Sequence, residues 1–294
     1  MPVELTAVIL TYNEEQHIAR CIESLMPVAA RIVVVDSFST DRTVEIACDL
    51  GADVFQNPFR HQAQQYQWAV ESCAITTDFT LRVDADEYLE PELQAAIKTF
   101  LSAPGAVNAV YLRRKITFLG RPITHGFFYP AMILRLHRTG QGRMEQRWMD
   151  EHIVVENAVT VELSGDLVDD NLNPLSWWTA KHVNYARREA YEIIASRARV
   201  QSEAEALSGQ ARRKRWLKEN IYGRMPVALR STLYFLYRYL FGRGFLDGKE
   251  GFFFHFLQAY WYRTYVDASL FEIERQAAAE GLSAYDMLRR DGIL

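Results

Sequence analysis

Apolar and polar positions alternate in short blocks along the first third of the chain. Leu5 to Leu10 is a β-rich apolar run that Thr11-Tyr12-Asn13-Glu14-Glu15 closes with turn and helix-start chemistry. From Glu15 to Met26 the apolar residues Ile18, Ile22 and Leu25 recur at helical spacing, and Arg31 to Val35 returns to a buried strand. Thr43 to Leu50 reads as a helix stopped by Gly51, Ala52 to Phe55 as a short strand, and Gln62 to Ser72 as a helix. The next strand, Phe79-Thr80-Leu81-Arg82-Val83, ends at Asp84. Strands alternating with helices at this pitch predict a parallel, doubly wound α/β sheet. Ligands of such sheets sit beyond the carboxyl ends of the strands. Asn13, Asp36, Asp84 and Asp86 all fall at such ends.

From about Val107 the pattern shifts to strand-like pieces, Ala109 to Leu112 and Ala131 to Leu136, and then to Ile153–Val155 with Thr160–Leu163, which together predict a hairpin. After Trp177-Trp178 the chain turns helical through Tyr185 to Val200. A polar stretch, Gln201 to Lys214, precedes the aromatic segments Ser231–Phe241 and Phe252–Tyr265. Neither segment reaches the ~20 apolar residues of a spanning helix, and Arg238, His255, Gln258 and Arg263 interrupt them. Two alternatives stand for these helices. They lie on an anionic membrane surface beside the basic cluster Arg212-Arg213-Lys214-Arg215-Trp216-Leu217-Lys218, or they pack on protein.

At 294 residues and 49% hydrophobic, the chain has enough apolar content for two domains, expected at 1–185 and 186–294. A formal charge of -4 with both signs interspersed gives no case for nucleic-acid binding. Cys21, Cys48 and Cys73 are odd in number and lack close-pair spacing, so a reduced, cytoplasmic setting is expected rather than a disulfide framework or zinc site. Met1-Pro2-Val3-Glu4-Leu5 enters a strand without the regions of a secretory signal, so none is expected.

Candidate chemistry concentrates at Asp84-Ala85-Asp86-Glu87. Two carboxylates one residue apart at a strand end make an oxygen-rich site for a hard cation, Mg²⁺ or Mn²⁺, and such a cation holds a diphosphate. The competing reading is a solvated turn. Asp36, at the end of the second strand, is placed to accept from the imide N–H of uracil or thymine, whereas Asp41 in Ser39-Thr40-Asp41 reads as a helix cap.

Together with Ala7-Val8-Ile9-Leu10-Thr11-Tyr12-Asn13-Glu14-Glu15, these segments resemble glycosyltransferase family 2, with its GT-A nucleotide-sugar fold. The similarity covers roughly the first hundred residues and is closer to the branch of lipopolysaccharide core β-glucosyltransferases, where Trp148-Met149-Asp150-Glu151-His152 also finds a counterpart. The resemblance implies a GT-A domain with a mostly parallel sheet, followed by a helical C-terminal region. It implies inverting transfer of a hexose from a nucleotide-sugar donor, UDP-linked, to a saccharide acceptor that is lipid-linked, at the inner face of the cytoplasmic membrane. By that resemblance Thr11, Tyr12, Asn13, Glu14 and Asp36 line the nucleoside pocket, and Asp84-Ala85-Asp86 meets ribose and metal, with Asp86 the main ligand. Inversion needs a base for the attacking hydroxyl, which the resemblance gives to Asp150 or its neighbour Glu151. His152 orients a carboxylate, binds diphosphate or adds a metal ligand. His125 in its loop, Arg135 with Arg138, Arg143 and Arg147, and the pair Lys181-His182 are further candidates for acceptor or diphosphate contacts; surface or structural roles are the alternative. Where the family has Asn before a Trp-Ala pair, this chain has Gln67 before Trp68-Ala69, so contacts from Gln65 and Gln67 stay open.

Two other classes compete. A nucleotidyltransferase also builds a metal site on an α/β sheet, but it opens with a Gly-rich loop, and Thr11-Tyr12-Asn13-Glu14-Glu15 has no glycine. A non-catalytic sugar-binding protein with the same fold would not depend on Asp150 or Glu151.

Overall fold

The structure is a computed structural model that describes residues 3–145, 152–203 and 227–294. The chain forms two compact units, Met1–Leu172 and Asn173–Leu294. The boundary read from sequence, 185/186, falls inside one continuous helix, Leu175–Glu203, whose residues belong to the second unit.

The first unit begins with β1 (Leu5–Thr11), α1 (Ile18–Leu25), β2 (Arg31–Asp36), α2 (Thr43–Asp49), β3 (Asp53–Gln56), α3 (Gln62–Ser72) and β4 (Phe79–Asp84). It continues through β5 (Glu87–Leu89), α4 (Pro91–Ser102), β6 (Ala109–Phe118), β7 (Arg121–Ile123), β8 (Ala131–Arg138), β9 (Gly142–Met144), β10 (Ile153–Val155) and β11 (Thr160–Asp170). One sheet runs in the order β3-β2-β1-β4-β8-β6-β11-β5, with β7 on β6. It is parallel from β3 to β4. Beyond β4 the sheet is mixed, because β8 enters antiparallel to both β4 and β6.

The near-continuous apolar content of β1 and β2 follows from helices on both faces. Successive strand residues point to opposite sides. Leu5, Ala7 and Ile9 join Ile22 of α1 and Leu93 of α4 in one layer, while Val8 joins Tyr66 and Ala69 of α3 in the other. Burying each such aliphatic side chain contributes ~1.5–3 kcal/mol, and truncating Ile22 to Ala would cost ~2–5 kcal/mol. α2 stops where expected, before Gly51 at φ +80°.

The hairpin read from Ile153–Val155 and Thr160–Leu163 does not form. β10 pairs antiparallel with β9 as a separate ribbon, and β11 pairs parallel with β6 and antiparallel with β5. The two segments face different layers: Ile153 and Val155 pack with the α3 side, Val161 and Leu163 with the α4 side. β11 is bulged between Glu162 and Asp166, and there Gly165 adopts φ +84° against α4. A Cβ at Gly165 would sit 2.2 Å from the Leu93 nitrogen, so only glycine fits.

The second unit is helical: α5 (Leu175–Glu203), α6 (Val227–Leu236) running into a π-helical turn Tyr237–Phe241, α7 (Gly248–His255) running into a second one at Phe256–Trp261, α8 (Tyr262–Ala279) and α9 (Ala284–Arg290). Ala186, Ala190 and Ile194 of α5 share a core with Val266, Leu270 and Ile273 of α8. Among the described residues no helix is long and apolar enough to cross a membrane. The cluster Arg212 to Lys218 lies outside them. The α/β sheet followed by a helical region is thus the architecture that the alternation and the family resemblance implied.

Candidate functional site

Strand register brings the candidate residues to one rim of the sheet. Thr11 lies beside Asp36, and Leu10 beside Asp84, so β2, β1 and β4 end side by side. The first two ends are joined by their loops. Asn13, at φ +54°, donates its N–H to Ser39 Oγ at 2.8 Å and accepts the Thr40 N–H at 2.8 Å. Asparagine tolerates this left-handed backbone because its side chain bonds locally. Glu14 N–H donates to Thr43 Oγ1 at 2.8 Å, and Arg42 N–H to Glu15 at 3.1 Å.

Asp36 is fully buried in this zipper. It accepts the Ser39 N–H at 2.9 Å, Gln56 Nε2–H at 3.2 Å and a short hydrogen bond from the Ser39 hydroxyl. Asp41 accepts from the Thr43 N–H and hydroxyl and from the Glu15 N–H. Burial raises the Asp41 pKa, but the Thr43 hydrogen bonds outweigh it and the carboxyl sits below its usual value. Tyr12 is 56% exposed, and the Thr11 hydroxyl is buried without a hydrogen-bond partner among the described residues. Glu14 turns away to His17: its carboxylate is 2.6 Å from Nδ1, while Nε2 accepts the Leu172 N–H at 2.8 Å. Gln65 is buried and bonds Asn57 and Ser37, whereas Gln67, among the described residues, bonds Glu71 one turn along α3.

The β4 end is built from charge. Asp84 accepts from Arg135 at 2.8 Å, from Arg82 at 3.1 Å and from Gln62 at 3.1 Å. Arg135 also donates to Glu87 at 2.9 Å, and Glu87 in turn accepts the Asp84 backbone N–H at 2.9 Å. Arg114 stands 3.5 Å from Glu87 and bonds Asp169. Burial raises the Asp84 pKa, yet Arg135 and Arg82 more than reverse that and hold the carboxyl well below the usual range. Glu87 lies deeper, 1% exposed, and burial pushes it up to about 7 despite the pull of Arg135 and with the added push of Asp84.

Ala85 is buried, and half-buried Asp86 accepts from the Asn171 side chain at 2.9 Å. The Asp86 carbonyl accepts the Asp170 N–H at 3.1 Å, and Arg20 anchors Asp170 at 2.6 Å. Among the described residues no group of three or more His, Cys, Asp or Glu side chains is gathered for a metal ion. The donor set suits Mg²⁺ or Mn²⁺ held by Asp86 with phosphate and water oxygens, since Mg²⁺ commonly takes only one or two carboxylates. Asp84, with both oxygens on Arg135, Arg82 and Gln62, stands behind that position.

The other candidates are scattered. Asp150 and Glu151, with Arg147, lie outside the described residues. His152 is exposed, and its carbonyl accepts the Glu145 N–H. His125 is half-buried between β7 and β8, with Nδ1 3.2 Å from the Thr124 hydroxyl. Arg135, read as a phosphate contact, is instead the buried bridge between Asp84 and Glu87; Arg138 bonds the Gly105 carbonyl, and Arg143 pairs with Glu156 on the surface. Lys181 and His182 belong to α5. The His182 ring stacks on Trp178, with Nδ1 donating to the Trp178 carbonyl and Nε2 accepting from Gln258, so the ring serves packing within the second unit. Sequence reasoning missed Gln62, Arg82, Arg114 and Asn171. Only Arg82 carried a signal, a lone charge inside an otherwise apolar strand.

The family model for glycosyl transferase family 2 matches residues 6–155, which span β1 to β10. The chain is 34% identical over 170 residues to the lipopolysaccharide core biosynthesis glycosyltransferase LpsC of Rhizobium meliloti, covering 56% of this chain and 62% of that one. It is 42% identical over 118 residues to an uncharacterized glycosyltransferase of Rickettsia bellii, covering 40% of each. The chain thus spans less than two thirds of the length of these relatives. Among solved structures, glucosyl-3-phosphoglycerate synthase from Mycobacterium tuberculosis in complex with Mn²⁺, UDP and glucosyl-3-phosphoglycerate overlaps at 23% identity and TM-score 0.33, covering 39% of this chain and 44% of that one. That overlap is too small to transfer anything further. With its model matched over just over half of the 294 residues, on the strands whose ends carry the carboxylates, the protein belongs to glycosyl transferase family 2.

Proposed function

We propose that the protein is an inverting glycosyltransferase that moves a hexose from a UDP-sugar to a hydroxyl of a saccharide acceptor of lipopolysaccharide-core type. The observation that carries this reading is the pair at the β4 end: Asp86 at the rim, and Asp84 locked behind it by Arg135 and Arg82. A carboxylate fixed by two guanidiniums cannot swing, so the turn that presents Asp86 is preorganised. Bound Mg²⁺ or Mn²⁺ would stabilise charge on the leaving diphosphate. The chain's part is to hold that position through Asp86 and to bind the nucleoside at the β1 and β2 ends, where Tyr12 offers an exposed ring. Asp150 or Glu151 would take the proton of the attacking hydroxyl. His152, next in sequence, would orient that base or reach the diphosphate. A lipid-linked acceptor would bring the enzyme to the inner face of the cytoplasmic membrane.

The test is release of nucleoside diphosphate from a panel of nucleotide sugars with Mn²⁺ or Mg²⁺. Metal-dependent release from a UDP-sugar, abolished by Asp86→Ala, is expected. With the acceptor supplied, Asp150→Asn or Glu151→Gln should block transfer while donor binding persists. Absence of both hydrolysis and donor binding across the panel would overturn the reading.

A further inference from the structure

The helix α6 with its π-helical extension is inside out for a water-facing element. Leu229, Leu233, Leu236 and Leu240, spaced at four, three and four residues, are all exposed, and that spacing puts them on one helix face. The charged groups of the same helix turn inward. Arg230 forks onto buried Asp267, and Arg238 is buried against the Tyr234 hydroxyl. A helix bathed in water normally has the opposite arrangement.

The tip that follows sharpens the pattern. Phe241 is 76% exposed, and Phe245 stands out on the other side of the Gly242-Arg243-Gly244 turn. On α7, Phe252 and Phe253 are exposed, and a cavity of about 420 Å³ is lined by Tyr239, Phe245, Phe252 and Phe253, with Lys249 as its charged residue. Charge decides what this surface fits. Between Leu229 and Tyr262 the exposed ionic side chains among the described residues are Arg243 and Lys249; Asp247 is buried and Glu250 half-buried. A second copy packed face to face would bring basic groups together without an exposed carboxylate from this segment to meet them. An anionic bilayer offers apolar depth for the leucines and phenylalanines, and phosphate for the two cations.

We infer that the α6–α7 hairpin is a wedge that seats in one leaflet of an anionic membrane, with Phe241 and Phe245 at its leading edge and Arg243 and Lys249 at the headgroups. It does not span. This surface stands on the second unit alone and does not depend on the transferase reading.

The experiment is flotation of the full chain with vesicles of phosphatidylethanolamine and phosphatidylglycerol, against vesicles of phosphatidylcholine. Binding is expected only to the anionic vesicles, and to weaken with salt. Arg243→Gln with Lys249→Gln should weaken it about thirtyfold, since each basic residue near such a surface contributes about a factor of five. Phe241→Ser with Phe245→Ser should abolish flotation while circular dichroism and donor hydrolysis stay as in the wild type; these side chains are exposed, so the fold tolerates the change. No flotation, or flotation indifferent to both double variants, would overturn the inference. So would a solution dimer that the phenylalanine variant dissociates, because the occupant would then be a second copy. A chain that floats but neither hydrolyses nor binds any donor would leave the wedge standing and sink the transferase reading.

Discussion

Two strand ends on the same rim hold their carboxylates in opposite ways. At the β2 end, Asp36 is surrounded by neutral donors, the Ser39 N–H and hydroxyl and the Gln56 amide, and these bonds tie the loop to its own strand end. At the β4 end, Asp84 and Glu87 share Arg135, with Arg82 and Arg114 close by, so charge is balanced within the protein. Neutral donors shape a loop; guanidiniums also cancel field. At β4 that cancellation lets two carboxyls sit under a third, Asp86, the residue proposed to hold the cation.

If charge balance is the difference, breaking it should hurt more than breaking the neutral set. Arg135→Leu leaves Asp84 and Glu87 short of a common partner and should cost ~3–5 kcal/mol, read from denaturant unfolding. A variant as stable as wild type would mean that Arg135 does not hold the pair. Asp36→Ala removes an acceptor from neutral donors and should cost ~1–3 kcal/mol in the same measurement. Asn13→Ala, which loses the Thr40 bond and a residue suited to φ +54°, should cost ~1 kcal/mol. A loss equal to that of Arg135→Leu in either loop variant would erase the distinction between the two ends.

The smallest effect lies under β4, where Tyr66 O–H donates to His137 Nε2 at 2.8 Å while Nδ1 donates to the Arg138 carbonyl. Burial lowers the His137 pKa below its ordinary 6.5, so the unfolded chain binds the proton more readily than the folded one. Stability from this group is therefore complete above that value and falls as pH drops below it. His137→Gln should show a shallower acid slope in the unfolding midpoint than wild type. Parallel slopes would mean that the ring binds its proton as readily in the folded chain as in the unfolded one.

The parallel half was legible in the sequence because it rests on local periodicity: Ile18, Ile22 and Leu25 announce α1, and the apolar runs end at the residues that form the rim. The partners of the rim carboxylates were not legible. Arg135 reaches Asp84 across a separation of 51 residues, and Arg114 reaches Asp169 across 55. Only the entry of β8 and β11 into the sheet creates those pairs. The same non-local pairing misled the reading of Ile153–Val155, whose alternation fits β9 as well as it fits Thr160–Leu163. Asp36 shows a third limit, since a strand-end carboxylate looks alike in sequence whether it serves a ligand or its own loop.

The central claim is that Asp86 holds a divalent cation against a nucleoside diphosphate at the β4 rim. Calorimetric titration of UDP, with and without Mn²⁺, into wild type and Asp86→Ala tests it most directly. The account predicts that Mn²⁺ tightens UDP binding to wild type and that Asp86→Ala loses about tenfold or more of that gain, with unfolding unchanged. Equal Mn²⁺-dependent affinity in the two proteins would contradict it.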